Sequence, residues 1–174
     1  MKINKKSQKD LVLNQSKGFT LVELLVVIAI IGILATLLLL QLGVARQRAR
    51  DAARIAHINQ ARTAIELYYD DNGLYPQQAT YAGLGALLVP KYLTLLPLDP
   101  LNVSPYVYNY AFNGNTKYHL WGELEQWAQA LNNDADINST AGGWTGQTVN
   151  GTVDAKTNCT SANNDCVYDQ GQAQ

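Results

Sequence analysis

Residues 17–44 read KGFTLVELLVVIAIIGILATLLLLQLGV, an apolar run that carries one carboxylate near its start. From Leu24 to Leu40 there is no charged side chain. A helix of about 20 apolar residues crosses the hydrocarbon of a bilayer, so the run reads as a membrane helix. Glu23 is the anomaly. A carboxylate at mid-bilayer costs ~2.5–3.5 kcal/mol, less toward the edge, and something must offset that cost. A secretory signal peptide has a shorter apolar core, about 7–15 residues, with its cleavage site after it. Here the Gly18-Phe19 junction precedes the run. A plain single-pass anchor is the rival reading.

Charge is distributed unevenly along the chain. Lys2, Lys5, Lys6, Lys9 and Lys17 stand before the run against Asp10 alone. Arg46, Arg48, Arg50, Arg54 and Arg62 follow it, and ten acids against three lysines occupy the chain from Asp70 onward. Five leading lysines favour a cytoplasmic N-terminus, although the arginines beyond the run oppose that bias. A basic stem joined to an acidic head argues against nucleic-acid binding by the head.

No proline interrupts Thr20–Tyr69, and Gly32 and Gly43 are its glycines. The first half is apolar on every side. In the second half Ala45, Ala49, Ala52, Ala53, Ala56, Ile58, Ala61, Ile65 and Tyr68 recur at three- and four-residue spacing, with arginines, Asp51, Gln60 and Glu66 between them. This predicts an amphipathic helix with an alanine-rich packing face. It should stop at Asp70-Asp71-Asn72-Gly73, where Gly73 can take a left-handed conformation. Gly32 and Thr36 form a small-xxx-small pair suited to close helix packing in lipid.

Beyond the stem, residues 81–93 suggest a short helix ended by Pro90, and 95–106 a proline-punctuated loop. YVYNYAF (106–112), the Asn113-Gly114 turn signal and KYHLW (117–121) predict a β-hairpin. Residues 123–131 fit either a strand extension or a short helix. Residues 132–165, rich in Asn, Asp, Gly, Ser and Thr, read as a long surface loop, with a last strand at 166–169. Cys159 and Cys166 are the two cysteines. In an exported domain they suggest one disulfide; in a cytosolic one they would be free thiols. Their spacing fits neither a zinc knuckle nor a redox pair. His57 and His119 have no triad or metal spacing around them and read as a stem-surface residue and a strand residue. Trp121, Trp127 and Trp144 read as head packing.

A basic leader, Gly18 before Phe19, Glu23 as the fifth residue after Gly18 and the apolar run, in that order and spacing, resemble the type III signal of type IV pilins and of type II secretion pseudopilins. Tyr69…Asn72-Gly73-Leu74-Tyr75-Pro76, then Tyr92-Leu93…Leu96-Pro97-Leu98-Asp99-Pro100…Tyr106, resembles the major pseudopilin pattern. The likeness is tight over residues 2 to about 45 and, from Glu123 onward, is confined to a cysteine pair.

The resemblance implies an α+β, pilin-like fold: a long N-terminal helix packed on a small antiparallel sheet. Residues 1–18 would be a cleaved leader, 19–44 the transmembrane and assembly helix, 45–71 its amphipathic half, and 72–174 a head with a C-terminal disulfide loop. A membrane prepilin peptidase would cut between Gly18 and Phe19 and methylate the new Phe19 amine. Glu23 would set the assembly register by pairing with a neighbour's amine; the alternative on residue chemistry alone is a carboxylate that snorkels to the interface or caps the helix start. Many family members carry proline at the position of Leu40, where the helix melts on assembly, so Leu40 puts that melting in doubt.

The implied product is a non-enzymatic structural subunit of a type II secretion-like pseudopilus, or else a type IV pilin for adhesion, motility or DNA uptake. Its partners would be further copies of itself, minor pilins or pseudopilins, the peptidase and an inner-membrane assembly platform. It would cross the cytoplasmic membrane once, head outside, before entering a fibre. Asp134-Ala-Asp136-Ile-Asn138 resembles the first half of a calcium loop, although Ser139 replaces its turn glycine and Thr145 its bidentate acid. Major pseudopilins often bind calcium in their C-terminal loops, so calcium is the candidate cofactor; the alternative is a solvated polar loop.

Overall fold

The computed structural model describes residues 18–152, 159 and 166–173. The expected leader, 1–17, lies outside the described residues. The chain forms two compact units, residues 1–41 and 42–174, and helix α1 (Leu21–Asn72) contributes to both.

In the first unit, every residue from Gly18 to Leu39 is exposed. Leu24, Val27, Ile28, Ile31, Leu34 and Leu38 are among the apolar side chains laid bare on all sides. A helix that is apolar all round needs lipid or other helices around it. Among the described residues it is the one helix long and apolar enough to cross a membrane.

In the second unit, α1 buries a stripe of Asp51, Arg54, Ile58, Ala61, Ala64 and Ile65. The lower part of this stripe is the expected apolar face. The upper part is not, because Ala45, Ala49, Ala52 and Ala56 are exposed while Asp51 and Arg54 point inward. The physical reason is that ion pairing lets two charged side chains occupy the face that small apolar residues were expected to take. The helix ends as expected: Gly73 has φ +70° and its N–H donates to Tyr69 O at 2.8 Å, a left-handed stop that glycine adopts without steric cost.

A 3₁₀ turn (Ala82–Leu84) runs into the four-residue α2 (Gly85–Leu88), where the short helix was expected. Four antiparallel strands follow: β1 (Tyr108–Asn113), β2 (Lys117–Glu123), β3 (Thr145–Gly146) and β4 (Val167–Gln172), in the order β3-β1-β2-β4. The β1–β2 hairpin turns at Gly114, φ +61°, in register Asn113↔Lys117 and Tyr110↔Leu120. The ambiguous segment after β2 is neither strand nor α-helix; it ends in a 3₁₀ turn, Gln129–Asn132. The 132–152 segment is more than a surface loop, since Ile137, Ser139 and Val149 are buried and β3 pairs with β1. Strand β4 runs three residues past the expected 169, because it completes its ladder with β2 from Glu123↔Val167 to Tyr118↔Gln172.

The core joins Ile58, Ala61 and Ile65 of α1 to Leu84, Leu88, Tyr110, Tyr118, Leu120, Leu124 and Cys166. The Asn72-Gly-Leu-Tyr-Pro76 motif ties the helix end to the sheet. The Tyr75 ring lies between Tyr69 (4.3 Å) and Tyr118 (4.5 Å). The Tyr75 and Tyr118 hydroxyls both donate to Glu66, at 2.9 and 2.7 Å, and Tyr110 donates to Pro76 O at 3.0 Å. Trp121 is buried, Trp144 packs edge-on to His119, and Trp127 remains 38% exposed, so head packing describes the first two better than the third.

Cys159 and Cys166 are joined as a disulfide. Closing a loop this short constrains the unfolded chain by roughly 2–3 kcal/mol in the entropic description. Denaturant unfolding of the extracted protein, followed by tryptophan fluorescence with and without reductant, is expected to show a loss of that size. An unchanged midpoint would mean the bridge is not stabilising.

Candidate functional site

The start of α1 is closed by its own side chains. Glu23 Oε2 accepts the Thr20 N–H at 2.8 Å and the Thr20 hydroxyl at 2.7 Å, while Thr20 Oγ1 accepts the Glu23 N–H at 3.2 Å. This reciprocal pattern is a capping box. In the single chain the carboxylate therefore takes the helix-capping role. All of these groups are exposed, so the carboxylate can exchange its local donors for a stronger one brought by another molecule. Phe19 is 77% exposed, and Gly18 has no heavy atom within 4 Å of where a Cβ would stand, so nothing among the described residues crowds these two positions. Gly32 is equally open. Thr36 donates its hydroxyl to Ile33 O at 2.7 Å, which satisfies it within its own helix, as hydrocarbon surroundings require.

A second polar centre lies inside the head unit. Arg54, fully buried, donates Nε–H to Asp99 Oδ2 (2.6 Å), Nη2–H to Asp99 Oδ1 (3.1 Å), and Nη1–H to Asp51 Oδ1 and Glu125 Oε1 (2.7 Å each). The Tyr106 ring covers its guanidinium at 4.6 Å. Arg50 donates to both oxygens of Glu125. Asp51 also accepts the backbone N–H groups of Glu125 and Gln126 at 2.9 Å, and Asp99 those of Leu101 and Asn102. Burial works to lower the Arg54 pKa, but its hydrogen bonds to Asp99, Glu125 and Asp51 outweigh it and hold the pKa above the ordinary arginine value. The hydrogen bond from Arg50, aided by Arg54, holds Glu125 below the usual carboxylate range against the effect of burial. Sequence reading set these arginines between the alanines of the packing face and assigned them no partner within the head. The available signal was Asp99, fixed between prolines in a loop that needs a cation to bury it.

The candidate calcium residues lie in the third polar centre. Asp136 and Asn138 are exposed and Asp134 is half-buried. Asp134 Oδ2 accepts the Asp169 N–H, and Asn138 Oδ1 accepts the Thr140 N–H and hydroxyl. Among the described residues no three His, Cys, Asp or Glu side chains gather as a metal group. His119 and Asp169, which sequence reading did not pair, meet here at 2.9 Å, both fully buried. His57 is a half-buried stem residue, with Nδ1 2.9 Å from the Tyr108 hydroxyl.

The prokaryotic N-terminal methylation motif matches residues 13–39. The type II secretion system core protein G of Pseudomonas aeruginosa is 36% identical over 107 residues, 54% of this chain and 73% of that protein. This chain belongs to the type IV pilin and type II secretion pseudopilin family. The core protein G of Aeromonas hydrophila is 29% identical over 143 residues, 75% of the chain and 93% of that protein. The type IV wide pilus major component PilA4 of Thermus thermophilus is 45% identical over 83 residues, 47% of the chain; the chain spans 63% of that relative's length. No solved structure matches. In this pseudopilin-family chain the methylation motif falls on the exposed apolar helix and its capped start, and the head carries the two buried charge centres.

Proposed function

We propose that this chain is the structural subunit of a type II secretion-like pseudopilus. It waits in the cytoplasmic membrane with its N-terminus inside and its head outside. The prepilin peptidase removes residues 1–18 and methylates Phe19. The processed subunit then polymerises helically through α1, on an inner-membrane assembly platform and with minor pseudopilins. The observation that carries this reading is an apolar helix exposed on all sides whose one acid, Glu23, is held among the described residues by its neighbour Thr20. In a fibre the helix gains an apolar surround, and Glu23 exchanges Thr20 for the Phe19 amine of an adjacent copy. An unpaired buried charge is costly and pairing relieves it only in the correct register, so Glu23 selects axial position more than it adds stability. Gly32 and Thr36 let helices approach closely.

The stretch 45% identical to a wide pilus component favours a second reading, a surface type IV pilin. Deleting the chain in its host separates the two: a secretion pseudopilin leaves a secreted enzyme trapped in the periplasm, whereas a pilin leaves secretion intact and removes surface fibres. Either way processing is expected. Intact mass of membrane-extracted protein should correspond to a chain beginning at Phe19 with one added methyl. A main species retaining Met1–Gly18 in a host with the peptidase would contradict both readings.

A further inference from the structure

We infer that the C-terminal loop of the head is closed by the chain's own Asp169 in place of a calcium ion, so that this head folds and holds its loop without the metal. Asp169, on β4, is fully buried. Its Oδ1 accepts the N–H groups of Ala135 (3.0 Å) and Asp136 (2.9 Å). Its Oδ2 accepts the N–H of Ile137 (2.8 Å) and, being a carboxylate oxygen, the Nε2–H of His119 (2.9 Å). Four donors fill the roughly four lone-pair sites of a carboxylate.

The three consecutive N–H groups form an anion-binding concavity of the kind that a left-handed residue in a turn creates; here that residue is Asp136, φ +48°. The D-x-D-x-N segment thus directs the positive ends of its peptide groups inward. A cation at this point would face three peptide N–H groups and an imidazole N–H. Gly151 passes so close that a Cβ there would lie 2.3 Å from Asp169 Oδ2 and 2.9 Å from Ile137 O. Gly151 N–H donates to Ile137 O and Ser139 N–H to Val149 O, both at 2.9 Å, which closes the loop on itself around the carboxylate.

Ser139, His119 and Asp169 share the composition of a hydrolytic triad but not its function. His119 Nδ1 lies 2.8 Å from Ser139 Oγ, yet that oxygen is also held between the O and N of Val149 at 3.0 Å each. All three side chains are buried, so the serine reaches no substrate. The cluster positions the loop.

The test uses the processed, full-length protein in detergent. Thermal unfolding is measured in excess EDTA and in millimolar calcium, and amide hydrogen exchange at Ala135, Asp136 and Ile137 is followed in both. Expected are equal midpoints and equally protected amides. A midpoint that falls in EDTA and is restored by calcium, or amides that lose protection in EDTA, would overturn the inference. Gly151→Ala and Asp169→Asn are expected to lower the midpoint and open the loop to limited proteolysis, with no rescue by calcium. Calcium rescue of either variant, or a wild-type midpoint in both, would also overturn it. Should a variant fail to fold, the wild-type exchange measurement still decides.

Discussion

Glu23→Ala is expected to reduce fibre yield to near zero while the subunit is still inserted, cleaved and present in the membrane at wild-type level. The substitution makes the apolar run more hydrophobic, so spanning should not suffer. It removes the acid that would meet a neighbour's Phe19 amine. It also removes the Thr20 capping box, worth ~1 kcal/mol at a helix start, too little to unfold a helix of 52 residues. Glu23→Gln separates the two roles, since the amide can still accept hydrogen bonds from Thr20 but carries no charge. If charge pairing sets the register, Gln should assemble as poorly as Ala; if capping alone matters, Gln should assemble normally. Fibre yield measured beside processed subunit in the membrane gives the answer. Arg48→Ala is the comparison. Arg48 is exposed and forms no ion pair among the described residues, and an exposed pair with a neighbouring head would be worth about 0–1 kcal/mol and be screened by salt. Its effect on yield should be small.

Arg54→Ala is expected to cost the head about 3–5 kcal/mol, because it leaves Asp51, Asp99 and Glu125 crowded without the cation that compensates them. Arg54→Lys should recover part of this, since an ammonium keeps the charge but cannot repeat the forked contact with Asp99. The unfolding midpoint of the processed protein reads both. The same centre sets an acid limit. The Glu125 pKa is depressed in the folded head, chiefly by Arg50. Its stabilisation is therefore present above the unfolded-state carboxylate pKa, and is lost as pH falls through the folded value. The wild type should lose stability in that acidic window, and Glu125→Gln should lose less there. Equal acid sensitivity in both would remove Glu125 from the explanation.

Much of this was legible because it is written along the chain. The apolar run, its single acid and the Gly18-Phe19 junction need only order and spacing, and a left-handed glycine after Asn72 is a local stop. The Asn113-Gly114 signal likewise marked a turn that local backbone preference decides. The buried charge network was hidden because its partners stand 45 and 71 residues from Arg54. Without those partners, composition favours burying Ala52 and Ala56 and exposing Arg54, the reverse of what the fold does. The D-x-D-x-N segment is hard to read for another reason. Counting oxygens suggests a cation, but whether a loop turns its C=O or its N–H groups inward depends on its backbone dihedrals, among them that of Asp136. Asp169, which uses those N–H groups, comes from a strand at the far end of the chain.

Electron microscopy of sheared and membrane-extracted fibres, labelled with an antibody to the head and paired with intact-mass analysis of the labelled material, addresses assembly most directly. Expected are fibres built from this chain, beginning at a methylated Phe19, and absent from the Glu23→Ala strain. Labelled protein found only as single, unassembled subunits, or normal fibres from Glu23→Ala, would contradict a subunit that polymerises through its N-terminal helix in a register set by Glu23.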